Sequence, residues 1–334
     1  MPKCPKCGKK FSSIQALSDH FRSIHPNEKF VPPRQPSSAR NLTVIIVIVI
    51  IVIGSLVGYL IYVQQNTTTT SVTNYTSYIG DSVPSSLYQN LSGISSSTLT
   101  TIGAGQGVTK PSAVTGTALT NGNKPEVLYI GADYCPFCAA ERWAMIIALS
   151  KFGTFSNLSL MLSSATDLYS NSATFTFYSS NYTSPYISFV AIESEDRSGN
   201  PLQTIPVADS ALQSKYDSGL SIPFLDIGNS YVVVGAQFSS TVLRVGNTGS
   251  GAPYNWTQIA SQLDNPSSVI AKAIDGSANT LISAICSITG GNPSGVCTQS
   301  YAKISLAILP ELSGAQTSPI ISVVRPIKAT EPIL

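Results

Sequence analysis

Charge, histidine and sulfur are all scarce in this chain of 334 residues: 11% are charged, two are histidine and six are cysteine. Both histidines, His20 and His25, lie near the N-terminus, so residues 64–334 contain none. That absence excludes Ser-His-Asp hydrolysis, Cys-His proteolysis and a His-ligated catalytic metal from most of the chain. Thiol chemistry survives the exclusion, because a pair of cysteines can exchange disulfides without an imidazole. Lys and Arg are also missing between Arg40 and Lys110.

Into that gap falls an uncharged run, LTVIIVIVIIVIGSLVGYLIYV, at residues 42–63. Its length as a helix, about 33 Å, matches the ~30 Å hydrocarbon layer of a bilayer. A buried soluble helix is the alternative, but so many consecutive Ile and Val residues leave no polar face. The run is too long and too far along the chain for a signal peptide's apolar core. Residues 1–41 carry eight Lys/Arg against Asp19 and Glu28, whereas the rest carries eleven basic and fifteen acidic residues. The positive-inside rule then keeps the N-terminus cytoplasmic and exports the C-terminal part, as expected for a single-pass cell-membrane protein. Asn66, Asn74, Asn90, Asn157, Asn181 and Asn255 begin Asn-x-Ser/Thr signals on the outer side, each a glycosylation candidate. Asn41 begins one on the inner side, where it would go unused. Gly54 and Gly58 form a small-xxx-small pair through which two such helices could associate as a homodimer.

Two Cys-x-x-Cys pairs flank this run, CPKC at Cys4–Cys7 and CPFC at Cys135–Cys138. The first belongs to CPKCGKKFSSIQALSDHFRSIH, in which His20 and His25 follow Cys7 at the Cys-x2-Cys-x12-His-x4-His spacing of a zinc finger. Phe11 and Leu17 fall where such a ββα module keeps its small core. Residues 2–26 thus resemble the Cys2His2 zinc finger family, against the alternative of a disordered basic tail. The resemblance implies zinc held by Cys4, Cys7, His20 and His25. Its base-reading positions map to Asp19, Ala16 and Ser13, none of them the Arg, Asn or Gln that makes bidentate base contacts. This argues against sequence-specific DNA recognition and for a cytoplasmic protein partner or anionic lipid.

The second pair sits in a different local pattern. Residues 125–132, PEVLYIGA, read as a short buried strand, Asp133 and Tyr134 as a turn, and AAERWAMIIALSKF as a helix ending at Gly153. Cys135 would then lie at a helix N-terminus, where unpaired N–H groups favour the thiolate, and Cys138 one turn on would resolve a mixed disulfide. Strand, Cys-x-x-Cys and helix in succession resemble the thioredoxin superfamily. That resemblance implies a cis-proline loop opposite the dithiol, for which Pro223 in SIPFLDI is the candidate, an ordinary edge-strand proline being the alternative. The strand position where such proteins often bury an acid is Tyr129. Glu141 or Asp226 could substitute, or either could be a solvated surface charge. More specifically, the region from about Pro84 to Cys297 resembles domain of unknown function family 929, thioredoxin-like proteins of archaeal membranes. The carrying segments are residues 124–153, 174–193 and 222–235, and AICSITGGNPSGVC ending at Cys297.

Cys286 and Cys297 flank a glycine-rich loop, and closing it by a disulfide would contribute on the order of 3 kcal/mol outside the cell. A second redox pair, or a zinc site shared with Cys135 and Cys138, are the other readings. The expected α/β organisation is a zinc finger at 1–26, a basic linker at 27–41, the membrane helix at 42–63 and a Ser/Thr-rich stalk at 64–83. A thioredoxin-like domain with its C-terminal helical disulfide segment follows at 84–310, then a tail at 311–334. Segments near 158–162, 174–178 and 187–192 should extend the sheet, with helices over 207–217, 255–263 and 267–285. The expected function is a membrane-anchored extracytoplasmic thiol–disulfide oxidoreductase working through Cys135/Cys138 on protein thiols and disulfides. Its outer domain would need no cofactor, and a quinone-linked membrane oxidase would serve as redox partner. The rival is a non-catalytic membrane scaffold with a thioredoxin-like binding domain and a zinc-finger interaction module.

Overall fold

The computed structural model describes residues 1–32, 53–55, 57 and 75–306. They belong to two compact units, Met1–Thr73 and Asn74–Leu334. The apolar run at 42–63, with Gly58, lies outside the described residues except for Ile53, Gly54, Ser55 and Val57, which are helical and exposed. Residues 64–74 of the stalk expected at 64–83, residues 307–310 of the expected domain and the tail at 311–334 also lie outside them. Among the described residues one helix is long and apolar enough to cross a membrane, Val269–Ile288, and 89% of its apolar window is buried by protein. In this structure it is therefore packed as a core helix.

In the first unit an antiparallel bridge between Lys3 and Lys10 brings the two arms of a turn together. Helix α1, Ile14–Ile24, follows, with the Ser13 hydroxyl capping it by accepting the Ala16 N–H. Leu17 and Phe21, four apart on one helix face, bury themselves against Cys4, with Phe11 and Phe30 alongside.

The second unit is mixed α/β. Strand β3, Lys124–Gly131, is central: β8, Ser188–Glu193, runs parallel on one side, and β9, Phe224–Ile227, runs antiparallel on the other. Beyond β9 come β10, Tyr231–Val234, and the short β1, Ser112–Ala113, both antiparallel to their neighbours; β2, Thr120–Asn121, pairs with the start of β3. Alternation along β3 serves two cores. Val127 and Tyr129 face one containing Trp143, Ile146 and Ile282, while Leu128 and Ile130 face another with Leu212 and Tyr216. This two-sided burial explains why the strand reads as a continuous apolar run. The β9–β10 turn uses Gly228 and Asn229, both at positive φ.

Helix α4, Pro136–Leu149, packs on the long helix Val269–Ile288 and is buried at every position except Phe137. It starts earlier than the sequence reading because Pro136 is pre-set for the first helical position. It ends at Leu149, and the Gly153 N–H bonds the Leu149 carbonyl beyond it.

Two expectations need correction, one in the sheet and one at the stalk. Ser159–Leu162 (β5) and Ala173–Thr176 (β6) do not extend the main sheet but form their own antiparallel pair, and only β8 joins β3. Ahead of β1 lie two helices, α2 at Ser85–Ser92 and α3 at Ser96–Ile102, because Gly93 ends the first and Ser95 caps the second. Residues 75–83, assigned to the stalk, are part of the folded unit. Tyr75 and Tyr78 pack edge-on against Trp256, and Tyr75 accepts a hydrogen bond from Asn255.

Candidate functional site

Cys135 is the N-cap of α4, and its Sγ accepts the Cys138 N–H at 3.2 Å. On its other side Sγ lies 3.8 Å from the Ile222 carbonyl, next to Pro223, whose peptide bond is cis. Both cysteines are buried, Cys135 at 3% exposed and Cys138 at 0%, so Cys135 lies nearer the surface. Around them lie Ala132, Tyr134 and Ile222, and Phe137 stands out from the motif, 40% exposed and edge-on to Tyr169.

The two thiols titrate in opposite directions. Cys135 is lowered, first by its hydrogen bond with the Cys138 side chain, with backbone N–H groups and Arg142 assisting against burial. Burial pushes Cys138 well up, and the hydrogen bond with Cys135 adds to it. The outer sulfur of the pair thus favours the thiolate and the inner one the thiol.

Sequence reasoning missed the charges behind this pair. Arg142 is wholly buried and grips Glu193 with a fork, Nε to Oε1 at 2.9 Å and Nη2 to Oε2 at 2.6 Å. Nη2 also donates to the Ala132 carbonyl at 2.7 Å and lies 3.7 Å from Asp133 Oδ1. Burial raises Asp133 to about 6 against the pull of Arg142. Asp133 also lines a cavity of about 370 Å³ with Thr176 and Arg197. The available signal was the spacing: Arg142 follows Cys138 by one helical turn, and Glu193 ends the parallel strand next to β3.

Glu141 and Asp226 are buried, which removes the solvated-surface alternative. Burial raises Glu141 to about 7, with the Gln237 N–H at 2.9 Å opposing, and raises Asp226 to about 6, opposed by the Asn229 N–H. The side-chain charges acting on both cysteines come instead from Arg142. Tyr129 lies under the Arg142 guanidinium, 5.8 Å from its ring centre, with its hydroxyl buried and without a hydrogen-bond partner.

In the first unit Cys4, Cys7, His20 and His25 bring their ligand atoms within 4.8 Å of one another, a group that could hold a metal ion. Cys7 Sγ and His20 Nε2 are 3.3 Å apart, and His25 Nε2 is buried with no hydrogen-bond partner. Burial raises the Cys4 thiol, but the N–H groups of Cys7 and Lys6 outweigh it and leave it lowered. Two thiols and two imidazoles, one carrying an orphaned nitrogen, suit a tetrahedral cation. Ser13 spends its side chain on the helix cap, and Asp19 accepts from Gln15. No other such group of three or more ligating residues occurs among the described residues.

Cys286 and Cys297 form a disulfide with Cα atoms 5.5 Å apart, tying the end of Val269–Ile288 to the short helix Ser294–Cys297. Closed on each other, they do not join Cys135 and Cys138 in a four-cysteine metal site. Asn90, Asn157 and Asn181 are exposed, whereas Asn66 and Asn74 lie outside the described residues. Asn255 is engaged: Oδ1 accepts the Gln258 N–H and Nδ2 donates to the Tyr75 hydroxyl.

Residues 110–221 match the model of a family described as Domain of unknown function (DUF929), about a third of the chain. The matched segment holds Cys135, Cys138, Arg142 and Glu193, but stops short of Pro223 and Cys286/Cys297. It is narrower than the resemblance drawn over 84–297. No curated protein and no solved structure matches the chain.

Proposed function

We propose that the chain is a membrane-anchored thiol–disulfide oxidoreductase whose second unit is a thioredoxin-like domain acting outside the membrane. The observation that carries this is the asymmetry of the dithiol: Cys135 caps a helix with a lowered pKa, and Cys138 lies sealed one turn below it. The strand order β10-β9-β3-β8, with the dithiol after β3 and Pro223 before β9, supports the thioredoxin-like reading.

In the reducing direction the Cys135 thiolate attacks one sulfur of a substrate disulfide. A mixed disulfide forms and the other substrate sulfur leaves as a thiolate. Cys138 then gives up its proton and attacks Cys135 Sγ, so that the enzyme ends as a disulfide and the substrate as two thiols. Oxidation of a substrate is the reverse, and a membrane redox partner would restore the starting state. Ile222, beside both the Cys135 sulfur and Pro223, would meet an extended substrate backbone.

Cys4, Cys7, His20 and His25 would hold zinc in a finger on the cytoplasmic side, where the metal supplies folding free energy to a module with a very small apolar core. The basic residues before the apolar run and the sequons after it support this orientation.

The test uses the full chain in detergent with an insulin-type disulfide and, separately, a reduced peptide. Cys135→Ser should abolish exchange, and Cys138→Ser should accumulate covalently captured substrate. A wild-type protein inert in both directions, with a Cys135 that resists alkylation, would favour the scaffold reading.

A further inference from the structure

We infer that the buried Arg142–Glu193 pair is the positioning element of the dithiol, with Arg142 holding the turn that carries Cys135 and setting the charge both thiols feel. The inference rests on the redox reading only in taking Cys135 as the reacting thiol.

Position along the helix comes first. Arg142 lies four residues past Cys138, on the same face of α4, and is completely buried. Its guanidinium binds three things together. The fork to Glu193 fixes it to the end of β8, and the bond to the Ala132 carbonyl fixes it to the turn after β3. The same carbonyl accepts the Cys135 N–H at 3.2 Å. The turn is also tied on its other side, where Asp133 N–H donates to Glu195 O at 2.9 Å and Ser194 N–H to Gly131 O at 2.7 Å. A planar, permanently charged fork presents these donors in a fixed geometry that matches the carboxylate, which the point charge of an ammonium does not.

Energetics separate this role from simple packing. A buried ion pair seldom stabilises more than apolar side chains of equal volume, because desolvation offsets the Coulombic gain. Fastening helix to sheet therefore gives no reason for a charged pair here, whereas its place behind two thiols does. The charged and titratable groups around the Cys135/Cys138 dithiol are Arg142 from the same helix, Tyr129 from β3, Tyr134 and Asp133 from the turn, and Glu193 from β8. Arg142 favours the thiolate at both cysteines, and Glu193 opposes it at Cys138.

The test measures the pH dependence of iodoacetamide alkylation at Cys135 by mass spectrometry in the full chain, for Arg142→Met, Glu193→Gln and Arg142→Lys. Removing the cation should raise the Cys135 midpoint by about one pH unit, and removing the anion should lower it. Arg142→Lys should fall between wild type and Arg142→Met. In glutathione equilibration each such pH unit changes the constant of the Cys135/Cys138 disulfide by about tenfold. A merely structural pair would loosen the turn in both single variants and move both midpoints the same way, which would overturn the inference. Should Arg142→Met fail to fold, the paired change Arg142→Met with Glu193→Met restores an apolar contact. Because the two charge effects offset each other in it, the double variant is read against Glu193→Gln: its midpoint should be the higher of the two, and one at or below that of Glu193→Gln would also overturn the inference. Opposite shifts in a protein without exchange activity would uphold the positioning role while removing the oxidoreductase reading.

Discussion

Glu141→Gln should change how the stability of the second unit depends on pH, and by an amount that can be worked out. Glu141 is fully buried on α4, next to Arg142 but turned to a different network. One carboxylate oxygen accepts the Gln237 N–H and the other has no hydrogen-bond partner. Gln237 continues to Thr109, Ser277 and Thr280. Burial raises the carboxyl from its ordinary 4.5 to about 7. The sign follows directly. Between these values the folded chain holds a proton that the unfolded chain has released, so raising the pH favours unfolding. The carboxyl costs nothing below pH 4.5 and the full penalty above 7. At 1.36 kcal/mol per unit, that penalty is about 3 kcal/mol. Glutamine carries no titrating proton, so the stability difference between variant and wild type should shift by this amount in the variant's favour from pH 4.5 to 8. Leaving a buried amide hydrogen unpaired costs about 1–3 kcal/mol at every pH, which offsets the curve without altering its slope. Urea unfolding followed by tryptophan fluorescence is the assay, because Trp143 and Trp256, the two tryptophans of the chain, are both buried in this unit. Parallel curves for the two proteins across this range would refute the reasoning.

Chelation should unfold residues 1–32 while leaving the tryptophan signal unchanged, and His25→Ala should weaken cobalt binding followed by its visible absorption. Replacing both Cys286 and Cys297 by Ala should lower the stability of the second unit by about 3 kcal/mol in the same urea assay. It should leave the alkylation rate of Cys135 unchanged. If the second unit is exported as proposed, peptide mapping of the protein purified from its source cells should find Asn157 and Asn181 modified and Asn255 bare, because the Asn255 amide already bonds Tyr75.

What could be read from the residues was whatever depends on near neighbours in the chain. Val127–Ile130 announces a strand buried on both faces, and the apolar runs after Cys138 and over 267–285 announce helices close to where they lie, because those signals are local. The ligand spacing from Cys4 to His25 is likewise local, and the four side chains meet. Pairings across long separations were not legible. Nothing near Leu160 says that it will pair with Phe175 apart from the main sheet, and nothing near Tyr75 points to Trp256. The largest gap was electrostatic. Glu141 and Arg142 look like an ordinary charged step on a helix surface, and only the packing of α4 between sheet and long helix buries both. Once buried, an arginine requires an anion, and Glu193 was the residue to seek at the end of the neighbouring strand.

The two Cys-x-x-Cys pairs show how little the spacing itself decides. Each places a second sulfur three residues after the first, and in each the earlier cysteine is held below its ordinary pKa. What differs is the company. Near Cys4 and Cys7 a helix turns two imidazoles toward the sulfurs, so four donors converge and a cation can satisfy all of them. The second unit, which holds Cys135 and Cys138, contains no histidine, and the partners there are a backbone N–H, a carbonyl and a guanidinium already committed to Glu193. That environment has no second pair of ligands for a metal. It does favour a negative charge on Cys135 and disfavours one on Cys138. An unequal pair of sulfurs without further donors fits the proposed passing of a disulfide to another molecule, a chemistry that needs no histidine.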